Sequence, residues 1–160
     1  MKILDRLPIY EGPAIIPVGD EMIQVWQNQA IVWLSLQDAL RPFPAILDTG
    51  HSHDLSISRR HLERWTGANL PQIGWTRIGM EKVPQYGTKV FLHRNAPGTR
   101  QRSGQTHPLQ MDQGIAVVPD ESRAAPRLPL LGMRALIGNR LRLIINGERR
   151  QVTLKTKGWF

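Results

Sequence analysis

Short apolar runs separated by Gly, Pro and Asn recur along the whole chain, and this pattern predicts a mostly β protein. "PAIIPV" and "MIQVWQ" read as strands, with Asn28 at a turn before "AIVWLSLQ". In that last run Ile31, Trp33 and Ser35 alternate with Val32, Leu34 and Leu36. One face is wholly apolar and the other nearly so, which predicts a strand buried on both sides. "PAILD" is another short strand, opened by Pro44, and "WTRIGM", "TKVFLHR", "GIAVVP", "RLPLL", "RLRLIIN" and "RQVTLK" are later ones. "LRLIINGERRQVTL" is the clearest hairpin, because Asn146-Gly147 is a strong turn dipeptide between two apolar-rich arms. One helix stands out in "SISRRHLERWTG". Ser58 can cap its first free amides, Ile57 and Leu62 have the spacing of a hydrophobic staple, and Gly67 can close the end in a left-handed conformation. A second, shorter helical turn is expected after Gly132 in "MRALIG", and His93 to Pro108 reads as a loop.

A chain of 160 residues is about one domain and is long enough to bury a core. No apolar run approaches the ~20 residues of a membrane-spanning helix, so no membrane partner is expected. The N-terminus carries one Lys before a very short apolar patch and then Asp5, which lacks the core of a secretory signal. Cytoplasmic residence is therefore the expectation, whether the chain stands alone or belongs to a longer precursor. The absence of cysteine excludes disulfides, thiol catalysis and thiolate metal sites. A net charge of +8 invites a nucleic-acid role, but the charge is spread, with some concentration in "RNAPGTRQR" and "NRLRLIINGERRQVTLKTK". No zinc finger, glycine-bearing RNA-binding signature or heptad pattern accompanies it, so nucleic acid is not the expected partner.

The stretch "FPAILDTGHSHDLSI", Phe43 to Ile57, carries the candidate chemistry. An apolar run stops at Asp48, a hydroxyl residue and a glycine follow, and two histidines then flank a serine. A buried strand would hold Asp48 on a rigid element, Gly50 allows a sharp turn, and Thr49 can hydrogen-bond its own loop and a neighbouring one. Taken alone, the tripeptide fits an Asx-type turn equally well. His51 and His53 also suggest metal ligands, in the manner of the His-x-His-x-Asp-His motif of metallo-β-lactamase-fold hydrolases. That motif calls for an aspartate and then a histidine where this chain has Leu55 and Ser56. His61, His93 and His107 lack suitable spacing, so no metal and no cofactor is expected.

Apolar residues followed by Asp48-Thr49-Gly50 resemble the active-site loop of aspartic proteases. "LPLLGMRALIG", Leu128 to Gly138, resembles the second signature of the retropepsin-like (retroviral-type) branch: two apolar residues, Gly132, one residue and a short helix. "GIAVVPD" lies just upstream and the hairpin follows, so the resemblance runs from about Ile31 to Leu154. It implies a closed β-barrel acid-protease fold over residues 31–160, with residues 1–30 an N-terminal extension or edge strands. It also implies an aspartic endopeptidase whose Asp48 is catalytic, with Thr49, Gly50 and Gly132 supporting the loop and Gly132 passing close behind it.

Such chemistry needs two carboxylates sharing a proton around a water. This chain has one Asp-Thr-Gly; "MDQG", Met111 to Gly114, has no hydroxyl residue between Asp and Gly and no preceding buried strand. The resemblance therefore implies a homodimer acting on a polypeptide substrate; the C-terminal hairpin is the interface candidate, since its Ile144 and Ile145 would otherwise expose an apolar edge. Gly50, His51 and Ser52 would line the substrate floor. A flap is expected between Trp75 and Leu92, with "PQYG" as its tip and Tyr86 reaching the substrate. His51 departs from the family, where a small residue follows the glycine. It favours the alternative of a non-proteolytic dimerisation or peptide-binding module.

Overall fold

The computed structural model describes residues 2–36, 41–94 and 106–157. Among them, fourteen strands lie in three sheets. The N-terminal part contributes β1 (Lys2–Pro8), β2 (Ala14–Val18) and β3 (Glu21–Val25). Then come β4 (Ile31–Leu36), β5 (Phe43–Asp48), β6 (Leu55–Ser58) and α1 (Arg59–His61), which runs into a π turn at Leu62–Thr66. Strands β7 (Gln72–Ile78), β8 (Glu81–Tyr86), β9 (Val90–His93), β10 (Thr106–Leu109), β11 (Ile115–Val118) and β12 (Leu130–Gly132) follow. Helix α2 (Met133–Gly138) and strands β13 (Arg142–Asn146) and β14 (Gln151–Thr156) end the described chain.

The main sheet has nine strands in the order β10-β9-β4-β5-β12-β6-β11-β8-β7. β4, the run with two apolar faces, is buried at all six positions, and its one polar residue, Ser35, shares a 2.7 Å hydrogen bond with His93 Nε2. Phe43, Leu55, Ile57, Ile115 and Leu131 fill the core that β4, β5, β6, β11 and β12 enclose. Leu4, Leu7, Val18 and Val25 belong to that same core, so the first thirty residues pack onto the body of the protein. β1 pairs with β14 in a separate three-stranded sheet, β1-β14-β13, and β2 and β3 form a hairpin of their own.

The expected closed β-barrel does not form. The nine-stranded sheet is open, with β10 at one edge and β7 at the other. The β7–β8 hairpin joins β11 through Tyr86 and Gln85, opposite Ile115 and Ala116, and among the described residues no strand links β7 round to β10. Closure needs tilt and stagger that agree around the whole circuit; here the circuit ends in an edge hairpin. The loop expected over His93 to Pro108 is also revised: Thr106–Leu109 pair with β9, while residues 95–105 lie outside the described residues. Among the described residues, no helix is long and apolar enough to cross a membrane.

Local chemistry explains the helical segment. The Ser58 hydroxyl accepts the His61 N–H at 3.3 Å, and Ile57 and Leu62 are both buried. The Thr66 hydroxyl donates to the Leu62 carbonyl at 2.6 Å within the widened π turn, and Gly67 ends it at φ 59°. Trp65 stacks on His61 at 3.9 Å, and its indole N–H donates to Glu21 at 2.6 Å, fastening the β2–β3 hairpin to the helix. That indole, with Arg64 beside it, holds the Glu21 carboxyl below its ordinary range.

His61 is buried, and desolvation pushes its imidazole down to about 4. The unfolded chain takes up a proton near 6.5 while the folded chain resists until about 4, so the stability present above pH 6.5 is lost as the pH falls between those values. Acidification to pH 4 should cost about 3 kcal/mol through this residue alone. Urea unfolding at pH 7 and pH 4 measures it, and His61→Phe should flatten that acid limb. An equally steep limb in the variant would contradict the assignment.

Candidate active site

The site is built where β12 slots between β5 and β6. Leu130, Leu131 and Gly132 lie parallel to Ile46, Leu47 and Asp48, and Leu130 and Leu131 lie antiparallel to Ser56 and Leu55. The Ile46 N–H donates to the Pro129 carbonyl at 2.8 Å, continuing the ladder one residue before β12 begins. Two strands far apart in sequence thus end together, with Asp48 on one and Gly132 on the other.

Asp48 is half-buried at the end of β5, and Thr49 and Gly50 form the exposed turn after it. The Gly50 N–H donates to Asp48 Oδ1 at 3.0 Å, and the His51 N–H donates to the Asp48 carbonyl at 3.2 Å. The carboxylate is therefore anchored by its own loop, as an Asx turn does, and the loop is braced by what lies behind it. The Gly132 N–H donates to the Asp54 carbonyl at 2.9 Å, and the Met133 N–H donates to the His51 carbonyl at 2.7 Å. A Cβ on Gly132 would stand 2.1 Å from the His53 carbonyl oxygen and 2.6 Å from that of His51. This crowding, not a special φ, is what requires glycine: Gly132 has φ −98°.

His51 turns away from the exposed turn. Its Nε2 shares a 2.6 Å hydrogen bond with the hydroxyl of Ser56, and its Cδ2 lies 3.0 Å from where a Gly132 Cβ would be. Burial, and then the neighbouring His53, hold its imidazole below the ordinary histidine value, with Asp48 pulling the other way. The His53 ring lies 5.1 Å from that of His51, and Ser52 between them is exposed. Asp54 is buried and accepts the Gln113 N–H at 3.0 Å, which ties the loop to the Met111–Gly114 turn; burial raises its carboxyl. Among the described residues, no group of three His, Asp or Glu side chains is placed to hold a metal ion.

Tyr86 sits elsewhere than at a hairpin tip. β7 and β8 turn at Gly79-Met80, where Gly79 has φ 61° and Met80 is 92% exposed. Pro84–Gly87 is the base of that hairpin, held in the sheet because Tyr86 pairs with Ile115 and Gly114 packs on the Tyr86 carbonyl. The Tyr86 hydroxyl lies 3.4 Å from Arg59 Nη2. The tip expected at "PQYG" is thus corrected to Gly79-Met80. The structure brings Asp48, Thr49, Gly50, His51 and Gly132 together, whereas Tyr86 lies in the ladder opposite Ile115 with its hydroxyl beside Arg59.

Ser56 and Asp54 were not singled out by the sequence. The only signal was polarity: a serine inside the apolar "LSI" and an aspartate just before it.

Gly132→Ala should destabilise the fold by about 2 kcal/mol or more, because two carbonyls must move to admit one methyl group. Gly147→Ala, where nothing lies within 4 Å of the added atom, should change stability by less than about 0.5 kcal/mol. Denaturant unfolding of the two variants checks this, and equal effects would contradict the crowding described. Compared with known proteins, the chain matches no family model, no curated protein and no solved structure.

Proposed function

We propose that the chain is an aspartic endopeptidase of the retropepsin-like kind that works as a homodimer, with Asp48 of each protomer meeting at the two-fold axis. The observation that carries this is the placement of Asp48 at the end of a rigid strand, with a loop amide on its carboxylate and the Gly132 backbone pressed behind the loop. A carboxylate held this way keeps its aim when a second, like-charged group is brought near. Two such groups cannot both ionise readily, so the pair retains one proton. The ionised member takes a proton from water as that water attacks the peptide carbonyl, while the protonated member donates to the carbonyl oxygen. The proposal rests on this local arrangement and needs no closed barrel.

One protomer supplies one carboxylate, so a second copy completes the site. The surface beside the Asp loop suits such a copy. A groove of about 380 Å³ is lined by apolar residues that include Leu47, Leu143, Ile145 and Val152, with Asn28 and Arg150 among its polar ones. β13 is the edge of its sheet, and Ile144 and Ile145 on it are 40% and 64% exposed. An apolar edge strand free of proline pairs readily with another strand. The alternative, a non-proteolytic dimerisation or peptide-binding module, takes its support from the bulky residue after Gly50; that residue, His51, is half-buried with its ring hydrogen-bonded to Ser56, which favours the enzyme.

Asp48→Asn should abolish cleavage of a diverse peptide pool while leaving unfolding and dimerisation nearly unchanged, and a pepstatin-type inhibitor should block the wild-type cleavage. Undiminished cleavage by the variant would defeat the proposal. Ile145→Lys should shift sedimentation toward the monomer and lower activity with it. A dimer of unchanged affinity would remove β13 from the interface.

A further inference from the structure

We propose that His51 is a positioning residue: its imidazole latches the catalytic loop to the buried Ser56 hydroxyl on β6, and it does not contact substrate. What Asp48 does chemically is taken from the proposed peptidase function; the latch itself stands on geometry alone. His51 follows directly on Gly50, whose N–H holds Asp48 Oδ1. It is fixed at three further points: its N–H on the Asp48 carbonyl, its carbonyl on the Met133 N–H, and its ring on Ser56 at 2.6 Å. Ser56 is 1% exposed and lies in the ladder opposite Leu130 and Ala116, so it cannot follow a moving loop. A hydroxyl so deeply buried needs a partner, and among the described residues the imidazole is the one it has.

The latch also explains why a bulky residue is tolerated after the glycine. The ring lies alongside Gly132, with Cδ2 3.0 Å from the position of an added Cβ, where a side chain on residue 132 would leave it no room. Gly50 and Ser52, both exposed, are left to face whatever lies over the loop. Losing the hydrogen bond frees the turn between Asp48 and Met133, and a carboxylate displaced even slightly loses its alignment with a partner across the axis.

The test uses His51→Phe, which keeps a ring and removes Nε2, together with Ser56→Ala, the double variant, and His51→Gln, whose amide can reach the same hydroxyl. Amide hydrogen exchange at His51 and Met133 should accelerate about tenfold in each of the first two. The double variant should be no faster than either, because both remove one interaction. His51→Gln should return exchange to within about threefold of the wild type. On a cleaved peptide, kcat should fall about tenfold in His51→Phe with KM within about twofold. Unchanged exchange, or accelerations that multiply in the double variant, would overturn the latch. A loss confined to KM would make His51 a substrate contact instead. Should the wild type cleave no peptide at all, the peptidase proposal fails while the exchange measurements still decide the latch.

Discussion

The three-residue pairing of β12 with β5 is the constraint on which the rest of the structure depends. Leu130, Leu131 and Gly132 run parallel to Ile46, Leu47 and Asp48 and close the gap between β5 and β6. Without them the strand bearing Asp48 would be an edge, and the loop beyond it would have nothing behind it. Parallel pairing between segments so far apart in sequence pays a loop-closure cost before any contact rewards it. The burial of Leu131, Leu55 and Phe43 around the joint offsets that cost.

The approach is close enough to dictate sequence on both sides. Gly132 has no room for a side chain because the His51 and His53 carbonyls face it, and those carbonyls are where they are because the loop folds back over β12. The His51 ring then lies alongside Gly132 and reaches Ser56. One glycine, one histidine and one serine thus form a single packing unit beneath Asp48. The carboxylate itself is held by a loop amide, so its orientation is a property of the loop's rigidity.

Much of the strand content was legible because it is local. β4 shows its burial on both faces in "IVWLSL", Asn28 takes a left-handed φ of 63° at the turn before it, and Ser58 caps the segment that starts at Arg59. Features set by distant partners were not legible. β1 reads poorly because its pairing with β14 is irregular between Ile3 and Asp5, which leaves Leu4 and Asp5 both buried and spoils a simple alternation. The hairpin tip is not legible because "PQYG" is rich in turn residues, yet β11 and Gly114 hold it in the sheet while Gly79 makes the turn. Barrel closure has no local signature at all. At the site, the Asp-Thr-Gly stretch and Gly132 stood out by pattern, whereas Ser56 looked like any serine in a strand.

The claim with most at stake is that one active site is shared by two copies of Asp48. Mixing wild-type protein with an equal amount of Asp48→Asn, after the subunits have exchanged, tests it most directly. If each site needs both carboxylates, mixed dimers are dead and peptide cleavage should fall to about a quarter of that of the same total concentration of wild type. Activity of about one half, in simple proportion to the wild-type chains present, would show that each chain works with its own aspartate and would contradict the account.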